Sequence, residues 1–313
     1  VYTVKSKIEN IYPLLPCRLR SAVLAVSRPE LSQITELRLR RSRPFCVTAG
    51  GREYALTHDG RLMSDPSQAL TVTADEVEHT YRAALDNSIH SHAPEIRNGY
   101  VTVSGGCRVG FCGTAVNEAG PGSRLQSVKD VSCLNIRIAR EVLGCAEELY
   151  NRTMSNGLCS LLIVGPPASG KTTVLRDLCR LIGRTRRLSV IDERNELAAV
   201  EKGEAACAVG LHSDVFTSYD KAAAIEIAVR TMSPEAIVCD EIGSKKELDA
   251  YMYALDSGVK LIATCHAASI AGAKRRDAVS RLIKLGAFDR AALLGTGCMT
   301  GRVIDTAVLS KKL

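Results

Sequence analysis

The sequence predicts an α/β fold with a smaller α+β domain at its N-terminus, and three observations carry that prediction. The chain has 313 residues, twice a typical domain of ~150 residues, so two cores are expected. Beyond residue 146, four short apolar runs at 161–164, 188–191, 236–239 and 260–264 alternate with helical segments. That is the pattern of a parallel sheet covered on both faces. The first run leads directly into Gly165-Pro166-Pro167-Ala168-Ser169-Gly170-Lys171-Thr172, a complete G-x-x-x-x-G-K-[ST] between a strand and a helix. The texture changes between Arg140 and Leu158, and the expected domains are 1–145 and 146–313.

The N-terminal elements are read in order. Ile34, Leu37 and Leu39 alternate with Arg38 and Arg40 as in a half-buried strand, and 44–48 predicts a second strand before the turn at Gly50-Gly51. Thr73-Ala74-Asp75-Glu76 has capping-box spacing, and Val77, Tyr81, Ala84 and Leu85 follow on one helical face. A helix over 75–89 is expected. Residues 99–103, the turn Ser104-Gly105-Gly106 and residues 108–116 predict a Gly-rich hairpin. A last strand over 134–140 turns Leu134, Ile136 and Ile138 inward, with Arg137 on the other side and Arg140 at its end.

Composition narrows the class. Apolar residues make up 46% and charged residues 24%, so neither a disordered nor a collagen-like chain is expected. Aromatics are only 4% with no Trp, leaving Ala, Val, Leu and Ile to fill the cores. No apolar run approaches the ~18 residues that a spanning helix needs, so no direct membrane span is expected. The twelve cysteines include no C-x-x-C pair, which removes zinc spacing and points to a reducing, cytoplasmic compartment. The opening Val1-Tyr2-Thr3-Val4-Lys5 lacks a signal-peptide core and an initiating Met, and reads as a trimmed or incomplete start. The net charge of +7 leaves nucleic acid or an anionic surface open as partners. The arginines at 38–43 and at 184, 186 and 187 read first as solvated strand edges and loops.

The chemistry begins at the P-loop. Its backbone N–H groups must converge on phosphate, which needs Gly where a Cβ would collide, and the following helix aims its positive end at the same anion. Gly165, Pro166, Pro167, Ala168, Ser169, Gly170, Lys171, Thr172 and Thr173 form the expected ATP-binding segment. Lys171 would reach the β/γ-phosphates and the Thr172 hydroxyl would ligate Mg²⁺. An apolar strand ending in Asp240-Glu241 is a Walker-B arrangement, with Asp240 on the metal side and Glu241 polarising the attacking water. A third strand end, Asp192-Glu193-Arg194-Asn195-Glu196, offers carboxylates for catalysis or for starting a helix. Thr264 and His266 end a fourth strand, where they could sense the γ-phosphate. Arg230 could be a surface charge or a phosphate contact, and His90 and His92 carry no usable pattern. Together these features predict a RecA-like P-loop NTPase core.

The same strings carry a resemblance. Residues 165–173, Asp192-Glu193-Arg194-Asn195-Glu196, Arg230-Thr231-Met232-Ser233-Pro234-Glu235, Asp240-Glu241-Ile242-Gly243 and His266-Ala267 resemble the stage III sporulation protein AA family of endospore-forming bacteria. Glu36-Leu37-Arg38-Leu39-Arg40, residues 99–103 and residues 136–141 resemble it too, so the likeness spans most of the chain. That family is similar to the secretion-superfamily ATPases of type II and type IV machines. The resemblance implies a homohexameric ring on the mother-cell face of a membrane-embedded sporulation channel, peripheral to the membrane through its partners. It implies a site made of the P-loop, an acidic box at Glu193 and Glu196, Walker B at Asp240 and Glu241, and a histidine box at His266. The broader secretion family usually has Gly before the Walker-B Glu, where this chain has Asp240, which leaves the division between metal ligand and general base open.

The reading is an ATP hydrolase requiring Mg²⁺, with Arg137 and Arg140 as candidates for an arginine finger offered to a neighbouring subunit. Outward-facing strand charges are the alternative for both. The rival function is a nucleic-acid-dependent P-loop ATPase. Tyr and Phe are few and are not interleaved with the arginine clusters, so stacking platforms for single strands are scarce and no nucleic acid is expected. A ring that holds ATP only as a structural ligand is the third reading.

Overall fold

The computed structural model describes residues 2–86, 88, 96, 99–117, 125–201, 203–242 and 247–309. The chain divides into two compact units, Lys5–Glu141 and a second made of Val1–Val4 with Val142–Leu313.

The first unit is a seven-stranded antiparallel sheet. Its strands are β1 (Ile34–Arg40), β2 (Cys46–Ala49), β3 (Arg52–Leu56), β4 (Leu62–Met63), β5 (Tyr100–Val103), β6 (Cys107–Asn117) and β7 (Leu125–Arg137), in the order β4-β3-β2-β1-β7-β6-β5. Leu37 is paired with Val47 on one side and Ile136 on the other, and Leu39 with Leu134. All five are fully buried. Ile34 is also buried although it lies three residues from Leu37. A register shift between Ile34 and Glu36 puts both on one face, which a strict period of two would forbid. Helices α1 (Cys17–Leu24) and α3 (Ala74–Ala84) contribute Leu19, Val23, Val77 and Tyr81 to the same core, and α2 (Arg28–Leu31) is one short turn between them.

The capping box at Thr73 forms as expected, Thr73 accepting from the Glu76 N–H and Glu76 from the Thr73 N–H. The helix it starts ends at Ala84, five residues short of expectation, because Asp86 takes a left-handed backbone at φ 48°. Residues 87 and 89 lie outside the described residues. The expected strand over 134–140 also differs. It is the last part of β7, which begins at Leu125 and stops at Arg137. Ser104–Gly106 makes the expected turn between β5 and β6. A Cβ on Gly105, at φ 75°, would sit 1.8 Å from the Asn10 side chain. The arginine cluster on β1 is spent on surface ion pairs, Arg38 with Glu36 and Glu53, and Arg40 with Glu53.

The second unit holds the parallel sheet. Its strands are β8 (Leu161–Gly165), β9 (Leu188–Asp192), β10 (Ser213–Thr217), β11 (Ala236–Glu241), β12 (Lys260–His266), β13 (Arg290–Leu294) and β14 (Val303–Val308), in the order β10-β9-β11-β12-β8-β13-β14. The four expected runs form its centre. β10 and β13 extend it in parallel and β14 closes one edge antiparallel. The flanking helices are α4 (Glu147–Met154), α5 (Lys171–Ile182), α6 (Lys221–Thr231), α7 (Glu247–Asp256), α8 (Ile270–Ala273) and α9 (Asp277–Lys284). Apolar cores lie on both faces, one around Leu175, Leu178 and Val190, the other around Ile225, Tyr251 and Leu261. Burial on both faces is why the central strands read as unbroken apolar runs. All twelve cysteines are free thiols, six of them buried, and burial pushes Cys239 up to about 12. Among the described residues, no helix is long and apolar enough to cross a membrane.

Candidate active site

Parallel strands all end on the same side, so their last residues converge at one edge. Gly165 is level with His266, and Glu241 with Thr264. Four of the strings singled out from sequence therefore meet around the P-loop.

The loop itself is tightly folded. Ala168 adopts φ 61° and Gly170 φ 85°, and a Cβ on Gly165 would stand 2.3 Å from Ser169 Oγ. Gly170 is the N-cap of α5, whose first N–H groups have no partner within the helix. Gly301 packs beneath the loop, its N–H donating to the Ser169 carbonyl at 3.0 Å.

Lys171 is 6% exposed. Its Nζ donates to the carbonyls of Gly165 and Pro166 at 3.0 and 2.9 Å, and to His266 Nδ1 at 3.0 Å. Burial lowers its pKa, while Glu241 and Asp240 act to raise it. The Thr172 hydroxyl lies 3.3 Å from Asp240 Oδ1. Burial raises the Asp240 carboxyl, with the charge of Glu196 acting in the same direction. A hydroxyl and a carboxylate side by side at a phosphate loop are hard oxygen donors of the kind that Mg²⁺ shares with phosphate oxygens. These two residues could hold that ion. Glu241 Oε2 is 3.8 Å from His266 Nε2.

A cavity of about 280 Å³ is lined by Ala168, Gly170, Lys171, Thr172, Thr173, Arg194, Glu196, Asp240, Glu241, Thr264 and His266. A second cavity of about 420 Å³ shares Arg194, Asp240 and Glu241 with it and adds Ile191, Glu193, Lys221 and Glu247. The two acidic-box residues thus separate: Glu196 faces the P-loop and Glu193 faces the adjoining cavity.

Other candidates have structural work. Asp192 is buried and accepts three main-chain N–H bonds, from Glu196, Leu197 and Ala198, at 2.8–3.0 Å. It shapes the acidic loop and is not among the residues lining either of these two cavities. The Thr264 hydroxyl donates to the Asp240 carbonyl. Arg230 pairs with Glu226 along its helix at 3.6 Å and stacks on Tyr253, a surface arrangement. In the first unit Arg137 is 68% exposed and 3.5 Å from Glu36. Arg140 is not free at a strand end: its guanidinium donates to the Ser32 and Ile34 carbonyls at 2.9 and 3.2 Å. His90, His92 and Gly243 lie outside the described residues.

Sequence reasoning passed over two cations. Arg176 on α5 holds the acidic loop by donating to the Glu196 and Leu197 carbonyls. Lys221 opens α6 between Glu193 and Glu247. A signal existed for the second, since a lysine in the first turn of a helix sits against the positive end of the helix dipole.

A P-loop at the end of a central parallel strand, with carboxylates on the neighbouring strand ends, defines a RecA-like P-loop ATPase fold. Solved structures agree. The fold is similar to that of the ATPase DotB of Legionella pneumophila, with a TM-score of 0.53 at 13% identity, covering 89% of this chain and 78% of that one. It is equally similar to the pilus retraction motor PilT, solved with bound ADP, with a TM-score of 0.53 at 15% identity, covering 85% and 76%. The chain belongs to the family described as Sporulation stage III, protein AA, which matches residues 5–308. Stage III sporulation protein AA of Bacillus subtilis (strain 168) is 34% identical over 290 residues, 90% of this chain and 89% of that protein.

Proposed function

We propose that the chain is a Mg²⁺-dependent ATP hydrolase working as a hexameric motor that energises or assembles a sporulation channel between mother cell and forespore, from the cytoplasmic side. The observation that carries the hydrolase is the convergence of Lys171, Thr172, Asp240, Glu241 and His266 on one cavity. Family membership supports the sporulation setting, and the likeness of fold to DotB and PilT suits a motor.

In this reading the loop N–H groups and Lys171 hold the β- and γ-phosphates in place. Thr172 and Asp240 would hold Mg²⁺, which when bound offsets phosphate charge. Glu241 takes the proton of the water whose oxygen attacks the γ-phosphorus, while the bond to the β–γ bridging oxygen breaks to leave ADP and phosphate. The residues contribute position and charge rather than covalent chemistry. The N-terminal domain packs on a neighbouring subunit and offers an arginine in trans, Arg137 being the more available of the two candidates. A nucleotide bridged by two subunits favours the assembled state.

The test measures ATP turnover by the protein alone, with DNA, and with membranes carrying the channel proteins, alongside sedimentation with and without ATP and Mg²⁺. Turnover that rises with channel membranes, together with nucleotide-dependent ring formation, is expected. Stimulation by DNA alone supports the nucleic-acid motor instead, and a monomer at saturating ATP overturns the ring.

A further inference from the structure

The end of the Walker-B strand is irregular. Cys239 is level with Ala263 and Glu241 with Thr264, so Asp240 is an extra residue in β11. Successive side chains of a regular strand point to opposite faces, and adjacent carboxylates could not both face one loop. The bulge brings them round: Asp240 and Glu241 both line the P-loop cavity. This is how the chain accommodates two neighbouring acids where one would be expected to point away.

A bulge interrupts the ladder, and here two side chains meet the carbonyls at the interruption. The Thr264 hydroxyl donates to the Asp240 carbonyl, and Lys221 Nζ donates to the Glu241 carbonyl at 2.7 Å. Lys221 is in an expensive place. It is 7% exposed and stands in the first turn of an eleven-residue helix, against the positive end of its dipole. A buried ammonium needs acidic partners and hydrogen bonds to offset its desolvation. Glu247 at 3.4 Å and Glu193 at 3.7 Å supply the charge, and Glu247 is itself held by the Tyr251 hydroxyl at 3.1 Å. An apolar side chain would fill the same position without any of these devices, so the ammonium calls for a reason beyond packing.

We propose that Lys221 is a positioning residue for ATP hydrolysis: by gripping the Glu241 carbonyl it fixes the bulge that aims the Glu241 carboxylate at the attacking water. The inference rests on the reading of Glu241 as general base. It separates Lys221 from nucleotide affinity, because the polar partners of Lys221 are Glu241, Glu193 and Glu247, whereas the phosphate loop lies between β8 and α5.

The test uses the full chain and reads steady-state turnover, giving kcat and KM for ATP, together with binding of a fluorescent ATP analogue. Lys221→Met is expected to lower kcat roughly ten- to a hundredfold, as misplacement of a reacting group by about 1 Å can do. KM and analogue affinity should stay within about twofold, and Lys221→Arg, which keeps a donor and the charge, should recover part of the rate. Lys221→Ala, which deletes the donor without adding apolar bulk, should also lower kcat at constant KM, and it keeps the test decisive if Lys221→Met does not fold. Wild-type kcat in whichever of Lys221→Met and Lys221→Ala folds overturns the proposal. So does a parallel loss of binding and turnover that Lys221→Arg does not repair. Glu241→Gln in the same assay keeps the two readings apart. If it is inactive while Lys221→Met is normal, only the role of Lys221 fails, whereas normal turnover by Glu241→Gln removes the general base itself.

Discussion

Lys171 Nζ and His266 Nδ1 are 3.0 Å apart. An ammonium has only protons to give, so Nδ1 accepts from it, and the other ring nitrogen, Nε2, lies 3.8 Å from Glu241 Oε2. One imidazole therefore joins the phosphate-loop lysine to the candidate base. β12, which carries it, lies between the P-loop strand and the Walker-B strand.

Lys171→Ala should abolish turnover and weaken nucleotide binding. It removes a buried charged donor whose hydrogen bonds are worth about 1.5–3 kcal/mol each, so a fluorescent ATP analogue should bind at least roughly tenfold more weakly. Unchanged titration by a folded variant would dismiss the loop as the nucleotide site.

Glu241→Gln should bind ATP with near-normal affinity and hydrolyse it roughly 10²–10⁴-fold more slowly, because the amide keeps the shape and cannot take a proton. Glu193→Gln should act more mildly, since that side chain is 49% exposed and paired with Lys221 at 3.7 Å in the adjoining cavity. Phosphate-release assays rank the two, and the reverse order would transfer the base to Glu193.

The two arginines should part company. Arg140→Ala removes the donor to the Ser32 and Ile34 carbonyls and should lower stability by about 1–3 kcal/mol, read as a fall in Tm. Arg137→Ala should leave Tm unchanged and reduce turnover. Mixing Arg137→Ala subunits with Lys171→Ala subunits should restore part of the activity, since some interfaces then join an intact loop to an intact arginine. No recovery in mixed rings confirmed by mass measurement would leave Arg137 as a strand charge.

The first unit should lose stability in acid through Glu76. Burial pushes this carboxyl up, but the Arg18 guanidinium, bonded at 2.8–2.9 Å, and the Thr73 N–H outweigh it, so the net shift is downward. A depressed folded pKa stabilises above the ordinary glutamate value of ~4.3, and that contribution disappears as pH falls through the folded value. Denaturation from pH 6 to pH 2 should show a smaller pH slope below that value for Glu76→Gln than for wild type. Identical slopes would remove Glu76 from the acid response.

Legibility followed the range of the forces involved. The capping box at Thr73, the hairpin turn at Gly105 and the P-loop are local backbone devices, and each was readable because its residues are neighbours in sequence. Helix α3 was overrun at its C-terminus because Asp86 carries no stronger stop signal than its neighbours. β10, β13 and β14 went unseen. Ser213–Thr217 contains Asp214 and only two large apolar residues, and its place in the sheet depends on pairing with β9.

The sequence by itself determined the chemistry: a strand, a phosphate loop and a helix in succession, and acids at the ends of two further apolar runs. Those are contiguous strings whose meaning lies in spacing and residue type. Only the tertiary structure decided which acid faces which group. Asp192 and Glu193 are adjacent, yet one is buried in main-chain N–H bonds and the other lines a cavity. Asp240 and Glu241 are adjacent too, yet a bulge set by pairing with β12 brings both to the P-loop. Side-chain direction at a strand end depends on register with a partner strand, and Lys221 reaches Glu241 across twenty residues of chain. No local pattern encodes either relation, because both arise from contacts made only when the sheet has assembled.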